Sequence, residues 1–415
     1  MSSAPGRVLG LFDLTCLGVN AIVGTSIFLF PGLLAGHLGP ASPAAFILTG
    51  LLLLPVALCY ADAASRFDRP GGPYLYADAA FGEWAGYGVG WMCWSAEIFS
   101  WAAVASGLCA YLGYFSGFWT EPATVKVTAA GVILAMGALN YRGVRLGAWT
   151  TNVFTLAKLI PLSAFVLIGL FHVRAANFSP LAPFGWAPLG KACFLAFFAF
   201  SGFEVVPVPA GEVESPQKNV PRAVVASLCI AAVLYALIQF TAVGVLPTLA
   251  ASERPLAAAA ALFLGPLGAS FIAVGAVLST LGFNAGCALG GPRYLVALAQ
   301  DRHLPRWFAF VHPKFGTPHR AVAATALLSV AAALAFDFSK LVDFSIVVIC
   351  VQYAGTCVAA PIIARRRDAV GWLLPLCGIG ATLWLGSQAG AGELVWALSL
   401  LALGYFLKVV FRNKT

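Results

Sequence analysis

Charged side chains are scarce in this sequence. Asp, Glu, Lys and Arg make up 10% of its 415 residues, whereas a soluble domain carries roughly a quarter. Hydrophobic residues make up 60% of the chain, and the mean hydropathy is +0.89. This composition excludes an ordinary soluble protein and predicts an all-α polytopic membrane protein that lies in the lipid bilayer of the cell membrane.

Motifs for metal binding and catalysis are also missing. The ten cysteines include no CxxC pair and the five histidines no HxxxH pair, and the sequence has no nucleotide-binding loop. No catalytic Ser/His arrangement is apparent. We therefore expect neither an enzyme nor a metal site nor a cofactor, and we interpret the cysteines as small buried apolar side chains.

Long runs without charge predict twelve membrane-spanning helices, because about 20 apolar residues cross the hydrocarbon core. The predicted spans are 10–35, 42–63, 84–116, 122–140, 149–172, 191–211, 222–247, 266–298, 319–336, 341–364, 369–388 and 391–411. No composition shift or linker divides them, so residues 1–415 are predicted to form one transporter domain.

The positions of Lys and Arg predict the orientation. With the amino terminus in the cytoplasm, eighteen of the 24 Lys and Arg residues fall on that side and five on the other. Both termini are then cytoplasmic. The formal net charge of +8 is explained by this asymmetry, so we expect no nucleic-acid partner.

The first predicted span contains a helix-breaking segment. Gly24-Thr25-Ser26 lies at mid-depth and Pro31-Gly32 follows it. Non-helical backbone at that depth is tolerated only where it is buried in protein or lines a cavity. The alternative is a small-residue face that only permits close helix packing.

The sixth predicted span is interrupted in the same way. Ser201-Gly202 is followed by Glu204 and by two prolines, Pro207 and Pro209. Interruptions in the first and sixth spans indicate an inverted repeat of five helices plus five, with the substrate between them. The repeats are predicted as 10–172 and 191–364, with two accessory helices in 369–411.

The backbone at the two breaks supplies the candidate binding groups. Amides of the first break suit a carboxylate, and carbonyls of the sixth suit an ammonium group. The aromatic rings of the sixth span either close over an apolar side chain or only pack. The predicted substrate-binding residues are Ile22, Val23, Gly24, Thr25, Ser26, Ile27, Phe198, Ala199, Phe200, Ser201, Gly202, Phe203 and Asn284.

Three ionisable residues lie within predicted spans, which makes each a candidate for function. Lys158 replaces a bound cation and exchanges protons, or it forms a fixed pair with an acid or with backbone carbonyls. Glu204 takes part in proton coupling or bridges the halves of its own helix. Glu97 poses the same choice between a proton-linked acid and a structural hydrogen-bonding residue. Asn284 faces either the pocket or the Lys158 ammonium.

At these residues the sequence resembles the amino acid–polyamine–organocation transporter family over nearly its whole length. Gly24-Thr25-Ser26-Ile27-Phe28 is similar to the family's Gly-x-Gly-Ile-Phe break. The further motifs that carry the resemblance are Arg69-Pro-Gly-Gly-Pro-Tyr-Leu-Tyr76, Gly211-Glu212 through Pro216 to Pro221-Arg222-Ala223, and Arg293 with Asp301, Leu304-Pro305 and Thr317-Pro318.

The resemblance implies a leucine-transporter-like fold and an amino acid or related amine as the substrate. Family members with a lysine that matches Lys158 are sodium-independent, so the resemblance implies proton coupling or exchange here. Ser26 departs from the family's usual Gly and would crowd the cavity or add a hydroxyl ligand.

We therefore expect secondary transport of an amino acid by alternating access, with protons as the coupling ion. The alternative within the same class is an exchanger of amino acids or polyamines. A non-transporting ligand sensor or partner subunit is the alternative from another class. The side-chain specificity and the oligomeric state cannot be read from the sequence.

Overall fold

The computed structural model describes residues 9–68, 71–142, 148–366 and 368–412. In these ranges the regular secondary structure is helical, and there is no β-strand. The helices are α1 (Leu11–Ile22), α2 (Ser26–Leu38), α3 (Pro43–Ala64), α4 (Pro73–Phe81), α5 (Glu83–Leu112), α6 (Pro122–Tyr141), α7 (Ala148–Gly169), α8 (Leu189–Phe200), α9 (Pro216–Val245), α10 (Pro255–Gln300), α11 (His319–Ala335), α12 (Phe338–Ile363), α13 (Ala369–Gly386) and α14 (Ala391–Arg412). The basic residues Arg7, Arg69, Arg145, Arg367 and Lys414, which contribute to the predicted orientation, lie outside the described residues.

Proline marks the start of many of these helices. The first residues of α3, α4, α6, α9 and α10 are Pro43, Pro73, Pro122, Pro216 and Pro255. The first turn of a helix has no intrahelical partner for its amides, so the missing N–H of proline costs nothing there. The positions of these prolines in the sequence thus mark where the helices begin.

Nine helices in the described part of the chain are long and apolar enough to cross a membrane. The first predicted span corresponds to α1 and α2, which together pass the same test but meet at a bend of 46°. The ninth corresponds to α11, a shorter apolar helix of 17 residues. These helices support a polytopic membrane protein, and the count of twelve stays a prediction.

The predicted interruption of the span 191–211 is present at Ser201-Gly202, but no α-helix resumes after it. The α-helix α8 ends at Phe200, and single 3-10 turns at Phe203–Val205 and Ala210–Glu212 follow. Pro207 and Pro209 have no backbone N–H to donate within a helix. The sixth span is therefore one short helix followed by irregular backbone.

Two other helices begin earlier than the sequence predicts. Helix α9 starts at Pro216 rather than near 222, so the Pro-Arg-Ala motif belongs to its first turns. Helix α10 includes a segment before the predicted start at 266, joined to it by a kink at Gly265 with φ of 67°. Gly tolerates this left-handed backbone, and Pro266 prevents the hydrogen bonding that would straighten the kink.

Helix α5 lies at the centre of the bundle. Of its apolar stretch, 83% is buried, against 17% in α6 and in α14. It packs against α10 and α12, while α1 packs against α7 and α9 and α2 packs against α8. The outer helices expose their apolar side chains to the region that lipid occupies, and the core contains the two interrupted segments.

The segment before α1 pairs with the segment that follows the second break. The Leu9 amide donates to the Glu212 carbonyl at 3.1 Å, and the Glu214 amide donates to the Leu9 carbonyl at 3.0 Å. These two bonds form an isolated parallel bridge between Leu9 and Val213. The start of the first interrupted segment is thereby joined through the backbone to the end of the second.

Candidate functional site

The first break leaves three amides without partners. Helix α1 ends at Ile22, and α2 begins at Ser26. The Gly24 amide donates to the Ile22 carbonyl at 3.0 Å. Those of Thr25, Ser26 and Ile27 have no hydrogen-bond acceptor among the described residues. Such amides at a helix start attract an anionic group.

The side chains of this break point into the protein core. The Thr25 hydroxyl lies 2.8 Å from the Thr280 hydroxyl on α10. The Ser26 hydroxyl lies beside the hydroxyl of Tyr235 on α9, and only 3% of Ser26 is exposed. Ser26 therefore faces α9, and it is not among the residues that line the central cavity.

The second break leaves free carbonyls. The Ser201 amide donates to Phe197 and Phe198 at 3.1 and 3.3 Å, which terminates α8. The carbonyls of Ala199, Phe200 and Ser201 accept no hydrogen bond from a described residue. Exposed carbonyls at a helix carboxyl end favour a cation.

Gly202 brings the two breaks together. Its φ is 132°, in the region that favours glycine. A Cβ atom at this position would lie 2.5 Å from the carbonyl carbon and oxygen of Ala21. The close backbone contact between the two interrupted segments thus depends on the absence of a side chain here.

Lys158 joins α7 to the first break. Its side chain is fully buried, and its Nζ donates to the carbonyls of Asn20 at 3.1 Å and Val23 at 2.6 Å. Ser279 on α10 also donates to the Val23 carbonyl, at 3.1 Å. The contacts of Lys158 are therefore with backbone carbonyls at the end of α1, which is one of the predicted alternatives.

Glu204 joins the second break to α12. Its Oε2 accepts from the Gly202 amide and from the Tyr353 hydroxyl, each at 2.7 Å. These contacts bridge the break, as one of the two predicted interpretations of Glu204 requires. Glu97 on α5 lies beside the Cys287 thiol of α10. Both carboxyl groups line the central cavity.

The central cavity lies between α1, α5, α7, the second break and α10. Its volume is about 90 Å³. Ser201, Gly202, Glu97 and Glu204 are the predicted site residues in its wall. A second cavity of about 220 Å³ adjoins it and shares Val208, Pro209 and Arg293 with it. The second cavity reaches the exposed Gln300 at the end of α10.

Phe283 separates the first break from this cavity. A Cβ atom on Gly24 would lie 3.1 Å from the Phe283 ring, and Phe283 itself lines the cavity. The remaining predicted residues at the first break, from Ile22 to Ile27, are not in the cavity wall. The Phe283 ring therefore lies against both the cavity and the Gly24 position of the first break.

The predicted aromatic residues pack against other helices. Phe198 lies near Phe30 of α2, with ring centroids 6.1 Å apart, and Phe30 lies 6.4 Å from Phe338 of α12. Phe200 packs on Tyr235 at 5.2 Å and Phe203 on Tyr353 at 5.1 Å. This packing of Phe30, Phe198 and Phe338 fills the space on the α2 side of the second break.

Two asparagines carry unused acceptors. Asn284 Nδ2 donates to the Thr280 carbonyl at 2.8 Å, and its Oδ1 is buried without a partner among the described residues. Asn20 Oδ1 is also buried without such a partner, and Asn20 lines the cavity. A buried acceptor without a donor is costly. Sequence reasoning missed Asn20, although a polar side chain one turn before Gly24 was a signal.

A model of a family described as amino acid permease matches residues 9–414. The chain belongs to the amino acid permease family. The predicted family resemblance is thus confirmed, and the chain is a permease rather than an enzyme. Together with its many apolar helices, this identifies a multi-pass protein of the cell membrane that handles a small-molecule substrate.

Three relatives show the range of this family. The permease is 31% identical over 344 residues to the methylthioribose transporter of Bacillus subtilis, which covers 79% of this chain and 75% of the relative. It is 30% identical to the branched-chain amino acid permease BcaP of the same species, over 76% of this chain and 72% of the relative. It is 27% identical to the serine/threonine exchanger SteT, also from Bacillus subtilis, over 87% and 84%.

Proposed function

We propose that this permease carries an amino acid across the cell membrane by alternating access, as a sodium-independent, proton-coupled secondary transporter. The observation that carries the proposal is the backbone contact between the two breaks at Gly202. This contact supports a site in which the free amides of one segment and the free carbonyls of the other bind the same ligand. An amino acid presents both complementary groups on a single carbon.

The substrate's carboxylate would bind the amides of Thr25, Ser26 and Ile27. Its ammonium group would bind the carbonyls of Ala199, Phe200 and Ser201 and the free oxygen of Asn20. Charge-assisted hydrogen bonds of both signs would then replace the water lost on binding. Movement of Phe283 away from Gly24 would admit the substrate to this position.

The proposed architecture is a single domain of twelve spans in a leucine-transporter-like fold. Residues 10–172 and 191–364 would form the inverted repeats, and 369–411 the accessory helices. Both termini would lie in the cytoplasm, which places Arg293 and the second cavity on that side. The cavity then opens inward, while Phe30, Phe198 and Phe338 close the opposite side.

Lys158 supports sodium independence. Its ammonium occupies the position between α1 and α7 where carbonyl oxygens would otherwise coordinate a cation. A protonated lysine supplies the positive charge that a bound cation would otherwise provide. Lys158, Glu97 and Glu204 are the residues proposed to exchange protons during the cycle.

The side chain of the substrate is proposed to be small and neutral. The cavity wall is mostly apolar, with Glu97, Glu204 and Arg293 as its charged members. Methylthioribose, the compound named for one relative, is a neutral sugar thioether without a carboxylate or an ammonium group. Its hydroxyl groups can form only neutral hydrogen bonds with the free groups of the two breaks, which are weaker than the charge-assisted bonds that an amino acid forms.

A thermal-shift screen on the purified permease tests the substrate class. The ligands are L-leucine, L-serine, L-arginine, putrescine and methylthioribose. We expect a neutral amino acid to raise the unfolding midpoint, and uptake of that amino acid into proteoliposomes to respond to a pH gradient but not to sodium. Stabilisation by methylthioribose alone would contradict the proposal.

Counterflow separates symport from the alternative, exchange of amino acids or polyamines. Proteoliposomes preloaded with the stabilising ligand are compared with empty ones, with and without a pH gradient. Uptake that needs preloading and ignores the gradient would identify an exchanger. A ligand that stabilises the protein without any flux would instead indicate a sensor or partner subunit.

A further inference from the structure

Helix α10 forms a continuous wall from the central cavity to the protein surface. Gly286 and Gly290 line the central cavity, Arg293 lines both cavities, and Ala297 and Gln300 line the second. The alternating spacing of four and three residues places all five on one helix face. A Cβ atom on Gly286 or Gly290 would meet nothing within 4 Å. The two glycines therefore widen the path that leads to Arg293.

Arg293 is the one charged residue between Pro255 and Gln300. Its guanidinium makes no hydrogen bond and no direct ion pair with any described residue, and the Glu212 carboxylate attracts it only from a longer distance. Glu97 and Glu204 line the first cavity with it, and Glu212 lines the second. A partly buried guanidinium without a bound anion is costly, because water replaces only part of its hydrogen bonding. Its planar fork matches a carboxylate through two parallel hydrogen bonds.

Arg293 is too far from the first break to bind the same carboxylate as the amides there. Phe283 contacts the position of Gly24, and Arg293 follows ten residues later on α10. At 1.5 Å per residue this separation is about 15 Å along the helix. An amino acid bound at the breaks cannot reach across it, so a carboxylate on Arg293 belongs to a ligand in a different position.

We propose that Arg293 forms a second binding site, for a carboxylate, at the mouth of the cavity. A substrate passing between the breaks and the surface would pause there with its carboxylate on the guanidinium. The role of this site in transport rests on the proposed amino acid function. Its ability to bind a carboxylate does not depend on that function. Carboxylates without an amine bind it as well.

Protection of Arg293 from phenylglyoxal, read by mass spectrometry on the purified full chain, tests the site. The probes are L-leucine, 4-methylpentanoate, which lacks the amine, and 3-methylbutylamine, which lacks the carboxylate. We expect both carboxylates to slow modification of Arg293 about tenfold, as charge-assisted hydrogen bonds worth ~1.5 kcal/mol predict. The amine should have no effect. The exposed Arg222 on α9 should react equally in all samples.

Equal protection by the amine, or none by either carboxylate, overturns the proposal. Failure of the amino acid function has a different signature, because 4-methylpentanoate would still protect Arg293 while no amino acid was transported. Calorimetric titration with 4-methylpentanoate provides the second readout. Binding should be lost in Arg293→Gln, weakened in Arg293→Lys and retained in the matched control Arg222→Gln.

Variants of Glu212 distinguish a carboxylate-binding site at Arg293 from a gate formed by an Arg293–Glu212 ion pair. If Arg293 only pairs with Glu212 to close the mouth, Glu212→Gln would impair flux as Arg293→Gln does. The double variant Arg293→Glu with Glu212→Arg would then restore flux, and the carboxylate site would be refuted. We expect Glu212→Gln to retain 4-methylpentanoate binding and the charge swap to lack it.

Discussion

The Lys158 ammonium lies 2.6 Å from the Val23 carbonyl, immediately before the Gly24 break. This bond joins the middle of α7 to the carboxyl end of α1. It satisfies an acceptor that the end of a helix leaves free. If α7 moves relative to the first break, this hydrogen bond must therefore break. If the bond persists, the first break must move together with α7.

Replacing Lys158 by alanine should abolish uptake driven by a pH gradient and lower stability. The Asn20 carbonyl would lose its donor, at a cost of about 1–3 kcal/mol, whereas Ser279 still donates to Val23. Uptake into proteoliposomes and thermal unfolding measure the two effects. Lys218→Ala, at an exposed position, is the control. Full gradient-driven uptake in Lys158→Ala would rule out the lysine as the replacement cation.

Replacing Glu204 by glutamine should separate structure from proton coupling. The amide oxygen of glutamine still accepts from Gly202 and Tyr353, so ligand-induced stabilisation should persist. Acceleration of uptake by a pH gradient should disappear if Glu204 exchanges a proton. Tyr353→Phe removes one hydrogen bond but no carboxyl group, and should cost about 1 kcal/mol while keeping the gradient dependence. If the gradient dependence is unchanged in Glu204→Gln, the bridging of the break would be the only role left for Glu204.

Gly202→Ala should prevent the two breaks from packing together. The new methyl group would lie 2.5 Å from the Ala21 carbonyl, on backbone that disfavours any side chain. We expect loss of ligand-induced stabilisation and a large drop in the unfolding midpoint. Gly131→Ala is the matched control, because a Cβ atom there meets nothing within 4 Å and alanine favours a helix by about 1 kcal/mol. Wild-type binding by Gly202→Ala would show that the contact is dispensable.

Stability should fall as the pH drops below about 6.5, in part through His303. Burial, with the nearby Lys408 ammonium, lowers the pKa of His303 in the loop after α10. The unfolded chain then binds more protons than the folded one, so acid favours unfolding. The unfolding midpoint at pH 7.5 and 5.5 should differ less in His303→Gln than in the wild type. The exposed His172→Gln should keep the full difference.

The two breaks were predictable because their signals are local. Gly24 and Ser201-Gly202 interrupt helices through backbone freedom, and Pro207 and Pro209 prevent the second from resuming. The positions of these glycines and prolines in the sequence are enough to predict where the helices are interrupted. The lack of a second α-helix after the break in 191–211 was not predicted, because the apolar composition of 191–211 resembles that of a complete span.

The partners of the buried groups could not be predicted from sequence. Lys158 was recognised as buried, but its contacts with Asn20 and Val23 depend on how α7 packs against α1. Ser26 was expected to change the cavity, and its rotation toward Tyr235 follows from the direction in which α2 leaves the break. Arg293 was read only as a topology signal and a family motif, since nothing local places it beside two cavities.

The backbone bridge between Leu9 and Val213 limits the number of independent motions in this permease. The start of α1 and the segment after the second break cannot separate without losing two hydrogen bonds. Leu17 of α1 lines the central cavity, and Glu212 beside the bridge lines the second cavity. The bridge therefore couples the wall of one cavity to the wall of the other, and a displacement of α1 is transmitted through it to the backbone after the second break.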